Sequence, residues 1–442
     1  MAAQQVPWPQ VSRPVALPIA VYLALHAILL LHNWAVPDVL LRGDRSGQRM
    51  ENVTAFLNAP GDLDQLMLAT GFPGDWLAHG LVWLAGGPLF LVLCQVLLGA
   101  VSVVATVRIA QILGAAPFAA SLAGLLAVVM PGGIMNPHLL VTESWYTAGF
   151  TAAIWLAGAA IQQNRPSLVI GSMLLFALAG ATRPQGMVLP LVALALFWFA
   201  APALRRPAVM GALLALLVTP GIWLGWRMAE TGEFAFGSSS FDLAYNLRNR
   251  IEKAVPGLDL TTDRIGLTEF LTLAAQHPVA LVKSYVVDAV NFVLNPGTNH
   301  IFGHYLELVS TPESTHYWRN AVIKGGVGGL LEALWTHKGV LAVIVLGGVL
   351  HLAIVAGALA GIVRALRDHS AVVRRFAVIV LVLALVQFAT TFASGIIRWA
   401  HRAPLEPVIA AFAGLGLCWL VELYRGWSWS RGTPGVGAAR LR

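Results

Sequence analysis

Residues 15–31 read VALPIAVYLALHAILLL, and residues 41–49 shortly after them read LRGDRSGQR. The first stretch is close to the roughly 20 apolar residues that a membrane-spanning helix needs. It has neither the basic start nor the small-residue exit of a cleavable signal peptide, so we expect a retained first helix. The second stretch places an acid, Asp44, among three arginines where that helix would leave the bilayer. Together they predict a membrane protein with charged chemistry at its surface.

The composition extends this prediction to the whole chain. Of the 442 residues, 57% are hydrophobic and only 11% are charged, whereas soluble domains carry about 25% charged residues. An all-α polytopic membrane protein is therefore expected. The net charge of +7 comes from arginines dispersed at the ends of apolar runs. This dispersion argues against a nucleic-acid partner and is typical of residues that orient a membrane protein.

The apolar windows predict about ten spans in a single transmembrane domain, 1–442. Arginines in the short loops would all lie on one side if this count holds, which predicts cytoplasmic termini. Asp44, Glu143, Arg183 and Arg398 would then share the opposite side. The predicted spans lie near 15–35, 88–110, 115–131, 143–161, 167–182, 185–201, 208–227, 339–363, 376–394 and 404–423.

Two long external loops are expected, 36–87 and 228–338, each with amphipathic helices. Within the second loop, the stretch Leu267–Leu294 contains Lys283 and Asp288, so an interfacial helix is favoured over a span. If this stretch did span, the topology after it would invert. Residues 424–442 are expected to form a disordered cytoplasmic tail.

Asp44 is the first candidate functional residue. A carboxylate in a partly dry cleft becomes more basic and can accept a proton from a hydroxyl group. The alternative is a solvated loop residue paired with Arg45 or Arg49. If residues 44–58 are helical, Glu51 shares the face of Asp44 and is a candidate substrate-binding partner.

The segment PHLLVTE, residues 137–143, supplies a second candidate carboxylate, Glu143, with His138 as a hydrogen-bonding neighbour. The structural alternative is a Thr142 cap with an acid at the positive end of a helix dipole. Asp, His and Glu side chains could also form a metal site. No spacing here is specific for one, so no metal is indicated and no cofactor is expected.

Two further segments place arginine outside. In TRPQG, residues 182–186, proline and glycine suit a tight turn, but a turn does not require Arg183. In RWAHRAPLEP, residues 398–407, two arginines and His401 contradict the positive-inside tendency. Guanidinium groups match phosphate well, so an anion site is favoured. The alternative is contact with lipid headgroups by snorkelling side chains.

These segments resemble motifs of the GT-C superfamily of integral-membrane glycosyltransferases. LAGATRPQG, residues 178–186, resembles a recurring Leu-x-x-x-Thr-Arg-Pro-x-Gly turn, and HRAPLEP, residues 401–407, resembles a Tyr-Arg-x-Pro-x-x-Pro ending with histidine in place of the aromatic. Gly43-Asp44 matches the family's acidic first loop, and stretches within 226–247 resemble the start of its middle loop. The resemblance is to bacterial relatives of protein O-mannosyltransferases and aminoarabinose lipid A transferases. Arg45 stands where some members carry a second acid.

The resemblance implies a GT-C-type bundle in the bacterial cytoplasmic (inner) membrane, with its active site facing the exterior. A sugar would pass, with inversion, from a polyprenyl-phosphate donor to a hydroxyl on a glycan, lipid or protein. Asp44 would be the base. Arg398, Arg402, His401 and Arg183 would contact the donor phosphate, and Arg45, Glu51, His138, Glu143 and Arg248 would bind substrate.

Three other functions remain open. A polysaccharide polymerase or O-antigen ligase also has many spans and an arginine-rich external loop, but need not carry Asp44. A lipid-linked glycan transporter would show polar residues near mid-membrane and internal symmetry, and the sequence has few deep charges and no repeated half. In a non-catalytic scaffold, the external charges would be incidental.

Overall fold

A computed structural model describes residues 13–35, 73–139, 141–183, 186–221, 224–225, 228, 250–252, 255, 267–298, 301–302, 306, 317–393 and 399–432. Every regular element within these ranges is a helix, so the predicted all-α class is confirmed. Five candidate residues lie outside the described residues: Asp44, Arg45, Glu51, Arg248 and Arg398.

Each of the ten predicted spans contains a helix. The helices are α1 Arg13–Ala35, α2 Pro73–Ile112, α3 Pro117–Val129, α4 Pro131–Met135, α5 Glu143–Gln163, α6 Pro166–Thr182, α7 Leu189–Ala200, α8 Arg205–Leu216, α9 Leu267–Gln276, α10 Pro278–Leu294, α11 Tyr317–Thr336, α12 Lys338–Leu366, α13 Ala371–Ala393 and α14 Glu406–Gly432. Short 3-10 turns cover Asn136–His138, Pro202–Leu204 and Trp399–Leu405, and a π turn covers Leu217–Gly221.

Local sequence explains many of the helix ends. Proline occupies the first turn of α3, α4, α6 and α10, where its fixed φ is helical and its missing N–H is not needed. At the other end of α5, Asn164 adopts a left-handed φ of 51° and donates its N–H to Ala160 O. Asparagine tolerates this conformation better than most side chains.

Among the described residues, six helices are long and apolar enough to cross a membrane. They are Arg13–His32, Ala85–Ile112, Pro202–Gly221, Val345–Leu366, Ala371–Thr391 and His401–Arg425. Pro117–Val129 and Pro131–His138 qualify as a pair bent by 65°, which makes seven at most. The expected count of ten is not confirmed, because α5, α6 and α7 are not among these spans. Of the three, α6 has 17 residues and α7 only 12, fewer than the roughly 20 that a span needs, whereas α5 has 21.

The two ends of the bundle differ in charge. Arg375 Nη1 donates to Ala200 O at 3.3 Å, and a Cβ on Gly114 would lie 3.6 Å from Asp368 Oδ2. The loops 113–116, 200–206 and 366–371 therefore share one end, which we call the arginine-rich end. The described residues of 131–143, 183–186 and 399–406 lie at the opposite end, which we call the motif end. This grouping agrees with the expectation that the arginines of the short loops lie on one side.

The core depends on small residues where helices cross. Backbone atoms of Gly357 and Gly361 in α12 approach those around Gly416 in α14 too closely for any Cβ. Inside a membrane the hydrophobic effect does not drive helices together, so their association depends on close packing, and small residues allow the backbones to approach. Large aromatic side chains fill the rest of the core, among them Phe150, Phe176, Phe376 and Phe412.

The stretch Leu267–Leu294 forms two helices that meet at His277. In α10, valines such as Val279 and Val286 are exposed, whereas Ser284 and Asp288 face the protein. An apolar outer face with a polar inner face suits a helix in contact with lipid. At the other end of the chain, α14 extends to Gly432, so it includes residues 424–432, which the sequence analysis placed in the tail.

Candidate functional site

The motif end is built from segments that are far apart in sequence. The 3-10 segment Trp399–Leu405 contacts α4, α5, α10, α13 and α14. It therefore lies between residues 131–138, which follow the 65° bend after α3 and which we call the bent segment, the start of α5 and α10. Folding brings the described residues of the predicted motifs 137–143, 182–186 and 398–407 to one end of the bundle.

Glu143 and Arg183 form an ion pair at this end. Arg183 Nη1 lies 3.0 Å from Glu143 Oε1, and the two side chains are 16% and 11% exposed, respectively. Thr142 has helical backbone angles and makes no side-chain cap, so the expected capping alternative is not what the structure contains. The pair is reachable from solvent, and it joins two candidate residues that the sequence placed in separate motifs.

The turn after α6 explains how Arg183 reaches α5. Gly186 donates its N–H to Arg183 O at 3.0 Å. A Cβ on Gly186 would lie 2.7 Å from Gly180 Cα and 2.9 Å from Tyr146 Cε2. Glycine is therefore required because the turn packs directly onto the end of α6 and onto α5. This close approach holds Arg183 beside Glu143.

A buried polar cluster joins α5 to α13, and its members were not among the predicted site residues. Tyr146 donates its hydroxyl hydrogen to Gln387 Oε1, and Gln387 Nε2 lies 3.4 Å from Thr391 Oγ1. All three residues are buried. The available signal was a glutamine inside the apolar span α13, because polar residues in spans are costly and are kept for a purpose.

His138 contacts a second histidine that was also missed. Its Nε2 lies 2.7 Å from Nδ1 of His26 in α1, the two rings are stacked, and both side chains are fully buried. Gln95 Nε2 donates to the carbonyl oxygens of Pro137 and Leu139 at 3.2 and 3.0 Å. These contacts therefore attach the bent segment to α1 and α2. The sequence signal was a histidine in the middle of the first apolar span.

Arg402 faces the protein interior. Its side chain is only 1% exposed, and Nη1 donates to the carbonyl oxygens of Phe292 and Asn295, both at 2.8 Å. Nε donates to Glu406 Oε1 at 3.4 Å. The sequence predicts Arg402 at the donor phosphate; in the structure its partners are the end of α10 and an acid of α14.

Glu406 was not predicted as a site residue. Its Oε2 accepts a hydrogen bond from the Gly132 N–H at 2.8 Å, and its side chain is 2% exposed. His401, the neighbour of Arg402, is half-buried. Together these residues show that the HRAPLEP segment is partly a structural connector.

A further buried ion pair joins residue 250 to α10. Arg250 Nη2 is 2.7 Å from Asp288 Oδ2, with both side chains at most 3% exposed, and the guanidinium lies 4.0 Å from the Tyr285 ring centroid. This pair holds residue 250 against α10.

Regarding metals, no group of three or more His, Cys, Asp or Glu side chains in the described ranges is placed to hold an ion.

Comparison with known proteins finds no matching family model and no matching curated protein. Three solved structures of an Archaeoglobus fulgidus oligosaccharyltransferase are similar to this chain. The form tethered to an acceptor peptide has 15% identity and a TM-score of 0.41 over 80% of this chain and 42% of that one. The complex with an inhibitory peptide and a dolichol-phosphate has 14% identity and a TM-score of 0.41, over 84% of this chain and 44% of that one. The apo form has 13% identity and a TM-score of 0.42, over 83% of this chain and 45% of that one. This chain thus spans less than half the length of those proteins, and a likeness at this level establishes neither family nor activity.

Proposed function

We propose that this chain is an inverting glycosyltransferase of the GT-C type. It would move a sugar from a polyprenyl-phosphate donor to a hydroxyl of a glycan, lipid or protein acceptor at the motif end. The observation that carries the proposal is the meeting of three sequence motifs, with Glu143 and Arg183 paired at 3.0 Å. This pair is partly exposed, so a charged ligand at the motif end could contact it.

The proposed chemistry needs few groups. A lipid phosphate is a weak base and leaves without a general acid, so one carboxylate that deprotonates the acceptor hydroxyl is sufficient. A single displacement inverts the sugar carbon. We assign Asp44 as the base. It follows Ala35, the end of α1, by nine residues, so it lies within about 30 Å of that helix end.

Charge develops on the phosphate as the bond to the sugar breaks. Positioned cations would stabilise it, and we assign this role to Arg183, Arg398 and His401. Of the two arginines, Arg183 lies within the described residues, and its side chain is 16% exposed. Arg402 is omitted because its guanidinium is buried.

The remaining candidates are assigned to the sugar or the acceptor. His138 is the last residue of the bent segment and Glu143 is the first residue of α5, and Arg45, Glu51 and Arg248 belong to the two loops that the sequence predicts, 36–87 and 228–338. No metal or other cofactor is required by this scheme.

We also propose the orientation. The arginine-rich end would face the cytoplasm of a bacterium, following the positive-inside tendency, and the motif end would face the exterior. Ten crossings would then leave both termini in the cytoplasm.

The test is sugar transfer in membrane vesicles that carry the full chain. Radiolabelled polyprenyl-phosphate sugars are supplied to endogenous acceptors, with Asp44→Asn as the variant and Asp64→Asn, in the same loop, as the matched control. We expect label transfer by the wild type and by Asp64→Asn, and none by Asp44→Asn. Full activity of Asp44→Asn overturns the base assignment. No transfer by the wild type with any such donor favours a polymerase, a ligase or a transporter.

A further inference from the structure

We propose that Arg402 and Glu406 are positioning residues that lock the external helix α10 and the bent segment 131–138 onto the motif end. They would act through these two segments rather than by touching the donor phosphate. The catalytic consequence rests on the proposed function, whereas the positioning itself does not.

The contact with α10 is made at the helix terminus. The last carbonyl groups of a helix have no intrahelical donor, and a cation there also suits the helix dipole. Arg402 Nη1 lies 2.8 Å from Phe292 O, 3.4 Å from Val293 O and 2.8 Å from Asn295 O. One guanidinium, more than 100 residues away in sequence, thus binds the end of α10.

The contact with the bent segment is made at the start of α4. Glu406 Oε2 accepts the Gly132 N–H at 2.8 Å. A Cβ on Gly132 would lie 2.7 Å from Glu406 Oε2 and 2.6 Å from Ala403 Cβ. Glycine is therefore needed for the carboxylate to reach the backbone.

Arg402 and Glu406 connect the two contacts to each other. Arg402 Nε lies 3.4 Å from Glu406 Oε1, and the side chains are 1% and 2% exposed. His351 of α12 joins the same cluster, with its Nε2 3.2 Å from Arg402 Nη1. A lysine has one nitrogen and cannot contact the acid and the carbonyl groups in the same way as a planar guanidinium. The arrangement is thus specific for arginine.

Burial separates this role from phosphate binding. A lipid phosphate reaches a guanidinium that is 1% exposed only if the groups that cover it move aside. Arg183 is 16% exposed and needs no such displacement. A positioning residue is therefore expected to affect turnover through the placement of the bent segment and α10, more than it affects apparent donor affinity.

The first experiment measures positioning without reference to activity. Amide hydrogen exchange is followed in the full chain in lipid nanodiscs for wild type, Arg402→Lys and Glu406→Gln. The matched control is Arg364→Lys, because Arg364 pairs with Asp368 four residues later, at 2.7 Å, at the arginine-rich end. We expect exchange in 131–138 and 278–294 to rise by about tenfold in Arg402→Lys, and no rise there in the control. Unchanged exchange in both segments overturns the proposal. The near-isosteric Glu406→Gln supplies the test if Arg402→Lys does not fold.

The second experiment is steady-state transfer with the same variants. For Arg402→Lys we expect kcat to fall by about tenfold, with the donor KM within about threefold of wild type. A donor KM raised by about tenfold with kcat unchanged would support direct phosphate contact and refute the positioning role. If the wild type transfers no sugar, the proposed function fails, while the exchange result still decides whether Arg402 and Glu406 lock the two segments.

Discussion

Replacing Gly186 by alanine tests whether the turn after α6 holds Arg183 in place. The added Cβ would lie 2.7 Å from Gly180 Cα and 2.9 Å from Tyr146 Cε2. Ordinary carbon contacts are about 3.5–4.0 Å, so the turn must move by about 1 Å. Overpacking of this kind costs about 1–3 kcal/mol.

The displacement should also reduce activity. Moving the turn by about 1 Å would weaken the 3.0 Å contact between Arg183 and Glu143. Misplacement of a positioned group by about 1 Å can cost on the order of 100-fold in rate. We therefore expect Gly186→Ala to lower both the thermal midpoint in detergent and the transfer rate in vesicles.

The matched control is Gly348→Ala in α12, where nothing lies within 4 Å of the added Cβ. Alanine in a helix is favoured over glycine by about 0.5–1 kcal/mol, so this control should retain or raise the midpoint and keep activity. The reasoning is refuted if Gly186→Ala matches the control in both measurements.

Two further predictions concern buried or paired charges. Burial raises the pKa of Asp368, but the Ser370 N–H bond and the Arg364 guanidinium outweigh it, so the pKa lies below its usual range. The ionised Asp368 therefore stabilises the folded protein at pH values above the unfolded pKa of about 4, and this stability is lost as the pH falls through the folded pKa. We expect the difference in thermal midpoint between wild type and Asp368→Asn to disappear in acid. A constant difference from pH 7 to pH 3 would contradict this. Arg250→Met should destabilise the protein by about 3–5 kcal/mol because it leaves the Asp288 carboxylate buried without its ion pair. Adding Asp288→Leu should recover most of the midpoint, and equal losses in the single and double variants would disprove the ion-pair explanation.

Much of the helical framework could be predicted because its causes are local. Apolar runs of about 20 residues, such as those of α1 and α13, form helices in lipid since every backbone group must be bonded internally. The prolines at helix starts and the glycine-containing turn at 182–186 also act within a few residues. For this reason each predicted span contains a helix. The number of membrane crossings was harder to predict, because whether a short helix such as α6 or α7 crosses the membrane depends on the neighbouring helices as well as on its composition.

The site illustrates what composition and motifs leave undetermined. The sequence indicated that Arg183 and Glu143 have polar roles, but not that they bind each other. It treated Arg402 as a phosphate ligand because a cation outside the membrane matches an anion. The same guanidinium can also donate hydrogen bonds to the end of a helix. Only the position of α10 in the fold shows that Arg402 has this second kind of partner.

The sequence by itself therefore determined the all-α class, the helix positions and the segments that carry chemistry, since these follow from hydropathy and local turn geometry. Only the tertiary structure decided the partners of each charged side chain. Gly132 and Glu406 are 274 residues apart, and His26 and His138 are 112 apart. Such contacts are set by how the helices pack, because a buried polar group must find a partner wherever the fold places one.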